Sequence, residues 1–200
     1  TTSNVTAYWS TLGFTGSGAV RDLWSHTNLG AYQNSFTASL APHESRLIKV
    51  TASPITPLAN GTYTLTPGNA TGSRLDAVGG GTSNGTAVDI WPSNNQSNQK
   101  WIITNTGNGM YKIQPSYATG LALDVYGINS AASATVDLWQ DNGGTSQRWS
   151  PILNSNGTYK LMPQCAPGMA LDVYNNNTSA GTLVETWYDT GNANQQWAIH

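Results

Sequence analysis

The sequence predicts an all-β chain: a β-trefoil with pseudo-three-fold symmetry over residues 61–200, preceded by a shorter run of antiparallel strands. Three observations predict it. The chain repeats itself without a gap, each repeat alternates apolar and polar residues with the strand period of two, and Gly, Asn, Ser and Thr supply frequent turns.

The repeats are residues 61–104, 109–152 and 157–200. Equivalent positions stand 48 residues apart, the step from Asp76 to Asp124 and again to Asp172. Each repeat holds four short alternating segments separated by turn residues, which makes twelve strands in all. One such unit cannot cover its own inner face, so three must close around a shared axis.

Alternation assigns the faces. In Val88-Asp89-Ile90-Trp91 the aliphatic pair points to the core, and the acid and the indole point outward. The second repeat has Val136 and Leu138 inward with Asp137 and Trp139 outward. The third has Val184 and Thr186 inward with Glu185 and Trp187 outward, so Thr186 makes its core slightly more polar. Leu75, Leu123 and Leu171 point inward beside the outward Asp76, Asp124 and Asp172. Tyr126 and Tyr174 share the Asp face, where the first repeat has Val78.

Every repeat ends in Gln-x-Trp: Gln99-Lys100-Trp101, Gln147-Arg148-Trp149 and Gln195-Gln196-Trp197. With an Asp closing an earlier strand and an aromatic ten residues before the motif's Trp, this resembles the ricin B-type lectins and carbohydrate-binding modules over residues 61–200. The resemblance implies that Trp101, Trp149 and Trp197 are core residues and that a sugar sits in a shallow pocket of each repeat. The first pocket would be Asp76, Asp89, Trp91, Asn98 and Gln99. The second would be Asp124, Asp137, Trp139 and Gln147, with Ser146 in the place of the family's Asn. The third would be Asp172, Glu185, Trp187, Asn194 and Gln195. Galactose is the ligand the resemblance implies first.

The residue types suit that chemistry on their own account. A pyranose has a C–H face that packs on a flat indole and a rim of hydroxyls that need directional partners. A carboxylate accepts two hydroxyls, and an Asn amide donates and accepts at once. The alternatives are that the outward indoles cap the barrel edge and that the acids are turn formers. Their recurrence together in every copy favours a pocket.

Residues 1–51 also alternate, at Val5 to Trp9, Ala19 to Trp24, Ser35 to Leu40 and Arg46 to Thr51. Four or five strands are too few for a sandwich standing alone. The stretches Ala19-Val20-Arg21-Asp22-Leu23-Trp24, Leu29-Gly30 and Ser35 to His43 resemble the C-terminal β-sandwich of melibiase-type α-galactosidases. The resemblance implies a partial antiparallel β-sandwich whose other strands belong to another polypeptide or have been lost. Residues 52–60, with Pro54 and Pro57, read as a semi-rigid linker. That family's catalytic aspartates lie in an upstream barrel, so the resemblance assigns no catalytic residue to this chain.

Composition narrows the function classes. Charged residues are 9% of the chain and the net charge is −2, which leaves neither a basic stripe for nucleic acid nor a polybasic patch for anionic lipid. No apolar run approaches the roughly 20 residues of a membrane span. The start at Thr1 has no charged and apolar leader pattern, so the sequence reads as a mature, soluble chain.

Eight Asn-x-Ser/Thr sequons, at Asn4, Asn60, Asn69, Asn84, Asn95, Asn156, Asn176 and Asn177, suit a secreted, extracellular glycoprotein. Cys165 is the single cysteine, so no internal disulfide forms; a partly buried free thiol is the simpler reading, a bond to another chain the alternative. His26, His43 and His200 are scattered, and Asp22, Glu44, Asp141 and Asp189 show no paired arrangement, so neither a metal, a cofactor nor a hydrolytic carboxylate pair is expected.

The expected function is binding of glycans, galactosides foremost and polysaccharides among them, by a secreted lectin module that is the non-catalytic part of a glycoside hydrolase. The alternative is a chain of a secreted α-galactosidase that hydrolyses terminal α-galactosides with catalytic residues, and a barrel partner, outside this sequence. A trefoil inhibitor or signalling protein would need one singular reactive loop, and the three equivalent acid-plus-aromatic sites single out none.

Overall fold

The computed structural model describes residues 2–14, 17–33, 35–52 and 58–200, which fall into two compact units, Thr1–Pro57 and Leu58–His200. Pro54 and Pro57, the prolines of the expected linker, lie outside the described residues. Leu58 packs against the core of the second unit, so that unit begins a few residues before Gly61.

Among its described residues the first unit has five strands: β1 (Ser3–Tyr8), β2 (Ser17–Asp22), β3 (Asn28–Gln33), β4 (Ser35–Leu40) and β5 (Ile48–Ala52). They form two antiparallel sheets, β1-β4 and β3-β2-β5, with Trp9, Val20, Phe36 and Ala38 buried together. Trp9 satisfies its indole N–H on the Tyr32 carbonyl at 3.0 Å. A Cβ at Gly18 would stand 2.8 Å from Val50 Cγ1 and 3.1 Å from the Trp9 ring, so only glycine lets β2 lie this close. Strand β3 was not among the alternating runs: Gly30, at φ 113°, and the polar ends Asn28 and Gln33 interrupt its pattern.

The second unit is the trefoil. Its first repeat contributes β6 (Gly61–Tyr63), β7 (Leu65–Pro67), β8 (Ser73–Ala77), β9 (Thr86–Pro92) and β10 (Trp101–Gly107). The second contributes β11 (Met110–Pro115), β12 (Leu121–Val125), β13 (Ala134–Gln140) and β14 (Trp149–Leu153). The third contributes β15 (Tyr159–Pro163), β16 (Met169–Val173), β17 (Thr182–Tyr188) and β18 (Trp197–Ile199).

Strands β6 and β7 are halves of one strand. β6 pairs with β10 and β7 with β18, and between them Thr64 exchanges backbone hydrogen bonds with His200 at 3.0 and 3.1 Å. Counted so, the twelve expected strands are present, and the order β6-β10-β11-β14-β15-β18-β7 closes into a barrel. Three hairpins, β8–β9, β12–β13 and β16–β17, cap it. Strands β9, β13 and β17 pair in a triangle through Leu138↔Thr86, Thr182↔Ile90 and Ala134↔Thr186.

The core is what the period of two assigns. Leu75, Val88, Ile90, Leu123, Val136, Leu138, Leu171 and Val184 are buried together. Trp101, Trp149 and Trp197 are fully buried, and their indole N–H groups donate to the carbonyls of Leu75, Leu123 and Leu171 at 3.0, 2.9 and 3.1 Å. Each ring thus ties the end of its repeat to the strand that carries the Asp. Thr186 is buried with its hydroxyl lacking a hydrogen-bond partner, which confirms the more polar third core.

Candidate functional site

In each repeat a hairpin and a short 3-10 turn build one candidate site. The antiparallel register sets Asp76 opposite Asp89, Asp124 opposite Asp137, and Asp172 opposite Glu185. Directly opposed residues project from the same side of a hairpin, so each site holds two carboxyls side by side. Sequence reasoning placed these acids outward but did not pair them. They do lie away from the apolar core, yet all six are buried. Outward from the barrel is not exposed here, because the turn carrying the Gln and the adjoining repeat cover the carboxyls.

The first acid of each pair is tied from above. Asn98 Nδ2 donates to both oxygens of Asp76 at 2.8 and 2.9 Å, and Gln99 Nε2 adds a bond at 2.9 Å. Ser146 donates to Asp124 at 2.7 Å, so a hydroxyl keeps the bond where the family pattern has an amide. Asn194 Nδ2 donates to Asp172 at 2.8 Å. The second acid is held differently: Oδ1 of Asp89 and Oδ1 of Asp137 are buried without any hydrogen-bond partner, as is Oδ1 of Asn194. Each site therefore carries acceptor capacity that the chain itself does not fill, at a cost of about 1–3 kcal/mol apiece in a bare protein.

Gln99, Gln147 and Gln195, expected as pocket residues, sit at the back of the sites. All three are buried and their amides are used internally. Gln99 accepts from the Asn94 N–H at 2.9 Å, Gln147 from the Asn142 N–H at 2.9 Å and Gln195 from the Thr190 N–H at 2.8 Å. Their Nε2 groups donate to the carbonyls of Pro92, Gln140 and Tyr188 at 3.0, 2.9 and 2.8 Å. These glutamines brace the loop that follows the aromatic, and they stand behind the surface a ligand would meet.

The aromatics are on that surface. Trp91 is 46% and Trp187 39% exposed, large values for indoles in a folded chain. Trp139 is half-buried because the Tyr126 ring meets it edge-on at 6.0 Å. The second site is a cavity of about 300 Å³ lined by Asp124, Tyr126, Ile128, Trp139, Asn142 and Ser146. The third, of about 290 Å³, is lined by Asp172, Tyr174, Glu185, Trp187 and Asn194. Glu185, one methylene longer than Asp, reaches the third cavity, whereas Asp137 stands behind the second.

Sequence reasoning missed that the first and third sites borrow a wall from the adjoining repeat, while the second cavity is lined by its own repeat alone. Ser133, just before β13, lines the third cavity. Its equivalent Gly181 lies against the first site, where a Cβ would stand 3.7 Å from Trp91 Cζ3 and 4.0 Å from Asp89 Oδ2. The 48-residue step among Gly85, Ser133 and Gly181 was legible, but their partners across the triangle were not.

The buried carboxyls are weak acids. Burial, and then the facing Asp124, push Asp137 up to about 7. Burial and Asp76 push Asp89 up to about 6, and burial with Glu185 takes Asp172 to about 6. Burial likewise raises Asp76, Asp124 and Glu185. Two acids left unplaced by the sequence are struts: Asp141 meets Lys112 at 2.7 Å and Asp189 meets Lys160 at 2.5 Å. Among the described residues no group of three or more His, Cys, Asp or Glu could hold a metal. Cys165 is a free thiol packed on the trefoil core, and burial raises it to about 11. No helix among the described residues is long and apolar enough to cross a membrane. Acceptors, an amide or hydroxyl and a flat apolar platform around a concave space suit a ring bearing hydroxyls.

Comparison with known proteins places these sites in context. The family model described as "Ricin-type beta-trefoil lectin domain-like" matches residues 51–139, 116–187 and 145–200. Residues 1–50 match the "Alpha galactosidase C-terminal beta sandwich domain". An α-galactosidase of Oryza sativa subsp. japonica is 43% identical over 51 residues, which is 24% of this chain and only 12% of that protein. Among solved structures, the designed 3-fold symmetric protein ThreeFoil is 33% identical with a TM-score of 0.66, covering 69% of this chain and 96% of that one. The Macrolepiota procera ricin B-like lectin, in complex with lactose, is 18% identical with a TM-score of 0.60, covering 74% of this chain and 98% of that one.

Proposed function

The chain belongs to the ricin-type β-trefoil lectin-like family, and on that footing we propose that its trefoil binds galactose-type glycans through the three hairpin sites. The observation that carries this is the same in every repeat: a partly exposed indole, Trp91, Trp139 or Trp187, beside a buried carboxyl pair. The indole packs the C–H face of a pyranose, and the acid and its amide or hydroxyl neighbour take the hydroxyls. The lactose complex of the Macrolepiota lectin supports a β-galactoside as the first ligand to try. Single shallow sites of this kind bind weakly, on the order of millimolar, and two or three on one chain gain by avidity on polymeric glycans.

We further propose that this lectin is secreted and works beside a galactoside-hydrolysing catalytic barrel, carried on the same polypeptide or another. The match of residues 1–50 to an α-galactosidase β-sandwich supports that setting. The reading that the whole protein hydrolyses terminal α-galactosides rests on the same match, with the chemistry done outside these 200 residues.

The test is an NMR titration of the full chain with galactose, lactose and glucose, following the indole N–H signals. Galactosides are expected to move the signals of Trp91, Trp139 or Trp187 and leave those of Trp101, Trp149 and Trp197 in place. The variant with Trp91, Trp139 and Trp187 all changed to Ala should fold and lose the binding. No movement at any outer indole with saturating galactosides would overturn the proposal.

A further inference from the structure

A second concavity adjoins the third site. It is a cleft of about 630 Å³ between the second and third repeats, with Ser133 and Thr135 on one bank and Tyr174 and the stretch from Ser179 to Glu185 on the other. Ser133, Tyr174 and Glu185 line both the cleft and the third site, so the two spaces adjoin. The lining of the cleft includes Gly181, whose Cβ position lies 3.7 Å from Trp91 of the first site. The third site alone is at the low end of the volumes that hold small ligands, and the cleft is about twice as large.

The pairing of the three cap strands decides which residues meet there. Glu185 stands opposite Thr135, whereas in the other two sites Asp89 stands opposite Leu183 and Asp137 opposite Ala87. The adjoining repeat therefore presents Ser133 and Thr135 to Glu185, but Gly181 and Leu183 to Asp89, and Gly85 and Ala87 to Asp137. Two hydroxyls face the acid only in the third site of this threefold set. Ser133 holds φ 60° where its equivalents are Gly85 at 81° and Gly181 at 82°, so a side chain stands at a backbone position built for glycine. Leu183, half exposed, and Tyr174 supply the apolar surface of the cleft. Hydroxyls and a carboxylate on one side with apolar surface on the other is the lining a sugar ring needs.

We propose that this cleft is an extended subsite, taking the second and third units of a linear oligosaccharide whose terminal sugar occupies the third site, a reading that takes sugar binding at that site as its basis. The first and second sites have no hydroxyl pair at the equivalent position and would hold one sugar each. The chain then discriminates glycan length at one repeat out of three.

Calorimetry and NMR on the full chain with galactose and with α- and β-linked galacto-trisaccharides test this. The third site should bind one of the trisaccharides about tenfold or more tighter than galactose, and only the trisaccharide should shift the amides of Thr135 and Leu183. In the Thr135→Val, Leu183→Ser double variant the preference should fall to about onefold while galactose still moves the Trp187 indole. A chain that binds galactose at Trp187 with no preference for either trisaccharide, or that keeps the preference in the double variant, overturns the subsite. If no sugar moves Trp187 at all, the sugar-binding reading of the third site fails, and the subsite falls with it.

Discussion

Asp124 and Asp137 stand directly opposite one another across the β12–β13 hairpin, both buried, with a Ser146 hydroxyl on the first and a partnerless oxygen on the second. Two carboxyls in that position cannot both ionise cheaply. The opposed, buried pair recurs in the other repeats, and it predicts a stability that depends on pH.

Asp137 titrates near 7 in the folded chain and near 4 once unfolded, so the folded state holds the proton more tightly. For an acid raised in this way the stabilisation is present at low pH and is lost as pH rises from the unfolded value through the folded one. Unfolding free energy should therefore fall by on the order of 2 kcal/mol from this pair between pH 5 and 8. Asp89 and Asp172, near 6, contribute in the same direction. Denaturation of Asp137→Asn should show a shallower decline over that range, and an unchanged slope would place the titration elsewhere.

The two sets of tryptophans should separate cleanly. Changing Trp149, which is fully buried and bonded to the Leu123 carbonyl, to Ala should cost about 3–5 kcal/mol of stability. Changing Trp187, which is 39% exposed, to Ala should cost about 1 kcal/mol or less and remove sugar binding from the third site. Urea denaturation beside a galactoside titration reads both effects.

Gln147 offers a test of the brace. Leu in its place fits the volume but leaves the Asn142 N–H and the Gln140 carbonyl without their partner. The expected cost is about 2–4 kcal/mol, with galactoside affinity per folded molecule changed far less than by loss of Trp139. An affinity loss without a stability loss would return Gln147 to the ligand set.

Ile128 holds φ 56° at the rim of the second site, 61% exposed, a left-handed conformation that β-branched residues rarely adopt. The third repeat has Asn176 at this position with φ 54°. Ile128→Asn should raise stability by about 1 kcal/mol and weaken galactoside binding at the second site, where Ile128 forms part of the wall. Thermal denaturation and the Trp139 indole signal report the two changes separately.

Much of the molecule was legible before any coordinates. Trp101, Trp149 and Trp197 were assigned to the core, and Trp91, Trp139 and Trp187 to the outer face, because a strand turns each successive side chain to the opposite side. The gapless 48-residue step then placed the same constellation three times. Strand β3 escaped because Gly30 and its polar ends hide the alternation, and the bracing bonds of the glutamines escaped because a motif does not say which way an amide is turned.

The sequence by itself determined the repeat, the strand faces and the family, all of which rest on local periodicity and chain order. Only the tertiary structure decided which acids face one another across each hairpin and what crosses from one repeat to the next, Ser133 and Thr135 set against Glu185 and Gly181 against Trp91. The first lie 13 residues apart and meet by hairpin register, while the others lie 50 to 90 apart and are brought together by closure of three strands about one axis. Side-chain period fixes a direction for each residue, but which atoms it meets depends on how the hairpins pack around that axis.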